Sequence, residues 1–134
     1  MRQRVPARTI WQDLVGYSRA VRVGEAIYVG GTAATDEGGV THGKSDPYSQ
    51  TVYILEKIGQ ALEELGASLE DVVRTRIFVT DIENWQEVVR AHAETFGQIR
   101  PCTTMVEVSR LITPELLVEI EADAVVEAAE PGPA

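Results

Sequence analysis

Three carboxylates, Glu119, Glu121 and Asp123, occupy every second position near the end of the chain, and Arg74 and Arg76 show the same spacing earlier. Alternate residues of a strand share one face. Carboxylates lined up in this way repel one another unless cations or solvent meet them, so this face needs a partner. Other reactive groups are sparse. His42 and His92 are isolated, and no paired-cysteine or paired-histidine spacing exists, so neither a metal nor another cofactor is expected. The single cysteine, Cys102, has no histidine or basic cluster near it in sequence to lower its pKa, and it reads as structural. It also excludes an intrachain disulfide, which suits a reducing cytoplasm.

The carboxylates sit in a stretch, residues 101–126, that reads as two strands. In the first, Thr104, Val106 and Val108 alternate with Thr103, Met105 and Glu107; in the second, Val118, Ile120, Ala122 and Ala124 alternate with the acidic row. Pro114 closes the loop between them. Upstream, Ser18–Val23 and residues 26–31 form a hairpin about Gly24-Glu25. Gly30 and Gly31 mark either a bulge or a close backbone approach, with equal weight. Asp46-Pro47 starts a helix whose stripe is Val52, Leu55, Ile58, Gly59, Leu62 and Leu65, and Gly66 ends it. Ser68 and Asp71 resemble a capping box. A strand over residues 72–80 puts Val73, Thr75, Ile77 and Val79 opposite Arg74, Arg76 and Phe78. Asp81 opens a second helix with the stripe Trp85, Val88, Val89, His92 and Phe96, which makes His92 a buried, hydrogen-bonded structural histidine. Residues 1–15 read as an arm docking through Trp11, residues 1–126 as one domain, and residues 127–134 as a disordered tail.

At 134 residues, 44% hydrophobic and 25% charged, the composition is that of one soluble globular domain. No apolar run is long enough to span a membrane, and the N-terminus lacks a signal peptide's apolar segment. The formal net charge of −9 argues against a nucleic-acid surface. The order β-β-α-β-α-β-β implies an α+β fold, a mixed sheet with both helices on one face. The open face is then expected to carry Arg74, Arg76, Phe78, Thr103, Met105, Glu107, Glu119 and Glu121. Such a mixture of charges with Phe and Met suits a subunit interface better than a solvated surface.

This order, with IYVGG, VVRTRIFVTDIENW and the closing P-x-x-x-MVEVSRL…VEIEADA, resembles the Rid/YjgF family over about residues 16–126. The resemblance implies a chorismate-mutase-like fold, a homotrimer with the open sheet faces packed into a central barrel, and small-molecule clefts between subunits. It also implies hydrolysis of 2-imino and enamino acids to 2-keto acids and ammonia. Carried over residue by residue, Glu119 positions the attacking water, and Tyr17 and Gly31 line the cleft. The arginine that clamps the substrate carboxylate in those members is here Thr103. A threonine hydroxyl cannot replace a bidentate guanidinium contact, so Arg76 and Arg100 are candidate substitute cations, each weighed against an ion pair for Arg76 and a surface loop for Arg100.

Three functional classes follow. The first is an imine/enamine deaminase of altered substrate scope. The second is a non-catalytic metabolite-binding trimer. The third is an endoribonuclease, against which the acidic charge weighs. Position 103 discriminates the first two. The partners expected are two further copies of the chain and a small metabolite, with no nucleic acid and no membrane, in the cytoplasm.

Overall fold

The computed structural model describes residues 1–128. Residues 129–134, most of the segment expected to be a disordered tail, lie outside the described residues. The elements are β1 (Arg2–Pro6), α1 (Gln12–Val15), β2 (Ser18–Val23), β3 (Ala26–Ala33), α2 (Pro47–Glu64), β4 (Val72–Val79), α3 (Trp85–Phe96), β5 (Cys102–Glu107) and β6 (Val118–Val125). They form an α+β fold around one six-stranded mixed sheet of order β1-β2-β3-β6-β4-β5, in which only β4 and β5 run parallel.

The first fifteen residues depart from the expected arm. Arg2–Pro6 pairs antiparallel with β2, and Val5 is buried opposite Ala20. Three polar residues and a proline in five positions hide the strand, because an edge strand needs only one buried side chain to hold it. Trp11 stays more than a third exposed.

The helix termini follow their local chemistry. Asp46 caps α2 by accepting from the Ser49 amide at 3.2 Å, with Pro47 at the first position. The Ser68–Asp71 capping box forms on a single 3₁₀ turn. Asp81 caps another 3₁₀ turn, Ile82–Asn84, and α3 proper begins at Trp85. On α2 the buried stripe includes Leu55, Ile58, Gly59 and Leu62, as the spacing predicts. On α3 it is Val88, Ala91 and Phe96, whereas Trp85 and Val89 are exposed. Both helices contribute to the core, which lies on one face of the sheet with Ile27, Ile77, Val79, Val118 and Ile120. Among the described residues, no helix is long and apolar enough to cross a membrane.

The register corrects the expected composition of the open face. Arg74, Arg76 and Phe78 pair with Cys102, Thr104 and Val106, while Thr75, Ile77 and Val79 pair with Thr103, Met105 and Glu107. Thr75, Ile77 and Val79 are buried under the helices, so Thr103, Met105 and Glu107 belong to the helix side. Both rows of β5 mix polar and apolar residues, so the alternation does not name the inner face. Pairing with β4 does. On β6 the expectation matches: Glu119, Glu121 and Asp123 pair with Phe78, Arg76 and Arg74.

Candidate functional site

β6 begins under the control of α2. Gln50, fully buried, donates through Nε2 to the Glu115 carbonyl at 2.8 Å and the Gly43 carbonyl at 3.2 Å, and its Oε1 accepts from the Leu117 amide at 2.9 Å. This fixes the chain two residues before Glu119. Across from it β3 carries an extra residue between Val29 and Thr32, a bulge at Gly30-Gly31. A Cβ on Gly31 would stand 2.9 Å from Glu119 Oε2. The glycine pair is therefore both a bulge and a close approach, and what approaches is the Glu119 carboxylate.

Tyr17, Gly31 and Glu119 line one cleft of about 150 Å³, with Arg19, Lys57, Leu116, and Trp11 and Ile112 nearer the exposed rim. Three of the four expected site residues thus come together. Thr103 does not. Its hydroxyl bonds Thr75 Oγ1 at 2.8 Å, and Thr75 in turn bonds His92 Nε2 at 2.9 Å, on the helix side of the sheet. His92 is half-buried, and desolvation lowers its pKa, as suits a structural imidazole.

Within one chain, neither expected substitute cation lines this cleft. Arg76 pairs with Asp123 at 3.2 Å and Glu121 at 3.7 Å on the open face. Arg100 donates to the Gly97 carbonyl at 3.1 Å beyond α3. The cleft has two other cations. Arg19 is only 6% exposed. Its Nη1 donates to the Gly31 carbonyl and, at 3.3 Å, to Thr32 Oγ1, and its guanidinium carbon lies 5.7 Å from the Tyr17 ring centre. Lys57 donates to the Ala33 and Thr35 carbonyls at 2.9 and 2.8 Å. Burial, and then Arg19, pull its pKa down to about 8, so it is still mostly an ammonium at neutral pH. Both were missed in the sequence. Arg19 alternates with its neighbours like any strand residue, and Lys57 sits on a helix face beside charged residues; only the fold brings them to the lining of one cleft with Glu119.

Glu119 is itself half-buried, and desolvation raises its pKa; Arg19 opposes that rise and Glu121 adds to it. A carboxyl shifted toward neutrality, held at fixed distance from a strand end, can exchange a proton with a bound water or ligand. Among the described residues no group of three or more His, Cys, Asp or Glu could hold a metal ion. Cys102 is exposed, with Sγ 3.1 Å from the Val73 carbonyl.

Residues 10–126 match the family described as Endoribonuclease L-PSP. A Mycobacterium tuberculosis member of the YjgF/YER057c/UK114 family is 50% identical and superposes with a TM-score of 0.85, covering 94% of this chain and all of its own. A Yersinia pestis protein of the Rid family is 30% identical with a TM-score of 0.82, over 94% of this chain and all of its own. A RutC family protein of Pyrococcus abyssi is 38% identical over 81% of this chain and 84% of its own. The chain belongs to the Rid/YjgF family.

Proposed function

We propose that the protein is an imine- or enamine-hydrolysing enzyme of altered substrate scope, working as a homotrimer with Glu119 as its proton-handling group. The observation that carries this reading is the half-buried Glu119 carboxyl, its pKa raised, set against Gly31 in the cleft lined by Tyr17. A water held by Glu119 adds to the C=N carbon while the carboxylate takes a proton from it. Glu119 passes that proton to the nitrogen to give the neutral carbinolamine. This collapses as its hydroxyl proton is relayed by Glu119 to the nitrogen; the C–N bond breaks, ammonia leaves and a carbonyl remains. Imine plus water gives carbonyl plus ammonia, with no redox change. Tyr17, bonded to Thr9 Oγ1 at 2.7 Å, forms one wall.

Trimer assembly is supported by the open face. Val23, Tyr28, Val106 and Val125 lie there in the company of the charged rows, each at least 40% exposed in the single chain. The endoribonuclease reading suits the acidic chain poorly, since net charge −9 repels a phosphate backbone.

The test generates an imine in situ with an amino-acid oxidase and follows carbonyl and ammonia release. The native protein should accelerate release, and Glu119→Gln should lose on the order of 100-fold or more, the usual contribution of a general acid–base group. Native protein that gives no acceleration with any imine or enamine tried would leave the metabolite-binding trimer as the better reading.

A further inference from the structure

The two cations of the cleft are held in an unusual way. A buried charge ordinarily faces a counter-charge, because desolvation of an ion is costly. Arg19 and Lys57 bond instead to neutral groups, the carbonyls of Gly31, Ala33 and Thr35 and the Thr32 hydroxyl. Among the described residues neither lies within 4 Å of a carboxylate oxygen; the ion pairs are Arg8–Glu64, His42–Asp36, Lys44–Glu115, Arg76 with Glu121 and Asp123, and Arg90–Glu87. Each retains donor capacity. Both hydrogen bonds of Arg19 among the described residues leave from Nη1, and a guanidinium has donors beyond that nitrogen. An ammonium has three hydrogens, and Lys57 directs two at carbonyls.

We infer that Arg19 and Lys57 together form an anion site, built from one chain, that holds the carboxylate of a small ligand whose apolar part extends toward Trp11 and Ile112. This deepens the proposed function, on which it rests for the bond that reacts, but the anion site stands on its own geometry. Two positive charges from different elements, β2 and α2, converge on the end of β3, where Gly31 and Glu119 also meet. A singly charged carboxylate between them relieves their mutual repulsion. A phosphate dianion fits less well, because Glu119 and Asp36 also line the cleft and add negative charge. The rim supplies the other half of the selectivity. Trp11 and Ile112 are apolar and exposed at the mouth, so a ligand with its charge inward presents its hydrocarbon part to them. The site does not need the position of Thr103, which accounts for a cleft that dispenses with an arginine there.

The full-length native protein is titrated calorimetrically with 2-oxobutanoate and with 2-butanone, which lacks the carboxylate. 2-Oxobutanoate should bind on the order of 10-fold or more tighter, the range expected of charge-assisted hydrogen bonds. Lys57→Met and Arg19→Gln should each weaken it by about 10-fold or more, while Arg90→Gln, on the exposed face of α3, leaves it unchanged. Arg19 is buried, so Arg19→Lys, which keeps the charge without the fork, is measured beside it; an intermediate loss is expected, and circular dichroism checks that each variant folds. Equal affinity for the two ligands, no saturable binding of 2-oxobutanoate, or binding that Lys57→Met leaves intact overturns the anion site. The two readings fail separately. Selective 2-oxobutanoate binding without imine hydrolysis keeps the anion site and removes the enzyme. Hydrolysis of a carboxylate-bearing imine, sensitive to Glu119 and indifferent to Lys57 and Arg19, does the reverse.

Discussion

Glu119 differs from Glu121 and Asp123 although all three stand on one face of one strand. The latter two meet Arg76 at 3.7 and 3.2 Å in the middle of the sheet. Glu119, two residues nearer the start of β6, lies beside a bulge, has no ion pair within 4 Å among the described residues, and is desolvated enough to raise its pKa. Its direct partner across β4 is Phe78 rather than an arginine. Identical spacing thus yields ion-paired carboxylates at one end and a desolvated carboxyl, the group proposed to handle the proton, at the other. What separates them is the neighbouring strand: β4 supplies a cation opposite Glu121, and β3 supplies a bulge whose Gly31 leaves room for the Glu119 carboxylate.

The largest effect should come from swapping the two glutamates in turn. Glu119→Gln should cut imine turnover on the order of 100-fold or more, and Glu121→Gln should change it by less than about threefold. Steady-state rates on both variants settle the matter; equal losses would place the chemistry on the whole acidic row. The next largest effect concerns assembly. Arg76→Glu places a third negative charge against Glu121 and Asp123 on the face assigned to the trimer barrel, and uncompensated charge in an interface costs several kcal/mol. Light scattering should give a trimer for the native protein and a lower mass for the variant. A native monomer would remove the barrel altogether.

Much of this comparison was readable in the chain. The core row of β6, Val118, Ile120, Ala122 and Ala124, is apolar at every second position, so its face and that of the carboxylates follow from periodicity. Asp46-Pro47 and the Ser68–Asp71 box announce their helical turns by local hydrogen bonding, which needs no tertiary context. The family resemblance then named Tyr17, Gly31 and Glu119, which line one cleft. What stayed hidden depends on pairing between distant segments. Thr103 was assigned to the face of Glu119 because β5 offers no clean apolar row, and its true side is set by register with β4. Arg2–Pro6 has one inward residue, too few for a period. Arg19 and Lys57 lie 38 positions apart in the chain, and nothing local marks them as neighbours.

A smaller effect tests the bulge itself. Gly31→Ala would set a methyl carbon 2.9 Å from Glu119 Oε2. The obstructing atom is the end of a side chain, which swings aside at little cost, so the melting temperature should hardly change. The displaced carboxylate should nevertheless lower kcat by about 10-fold, since a misplacement of about 1 Å costs up to about 100-fold. Unchanged kcat would mean that the close approach does not position Glu119 for chemistry.

The smallest effect is on stability and has a definite sign. Burial raises the folded-state pKa of Glu119 above its ordinary value of 4.5. The folded protein therefore favours the protonated carboxyl. Relative to a neutral side chain, this group costs nothing while both folded and unfolded states are protonated, below that ordinary value. The cost appears as pH rises past 4.5, where the unfolded chain ionises first, and it levels off once pH exceeds the folded pKa. Glutamine keeps the shape and removes the ionisation. Glu119→Gln should thus melt at the native temperature at about pH 4 and above it at about pH 7, with the gap opening between those limits. Glu121→Gln, at a carboxylate that Arg76 meets, should show no such gain and serves as the control. Because ligand would stabilise the charged site, both proteins are compared free of any carboxylate buffer. A variant that loses activity while gaining stability at neutral pH is the signature of a group kept for chemistry, and a destabilised Glu119→Gln at about pH 7 would show that its carboxylate is instead a structural member of the fold.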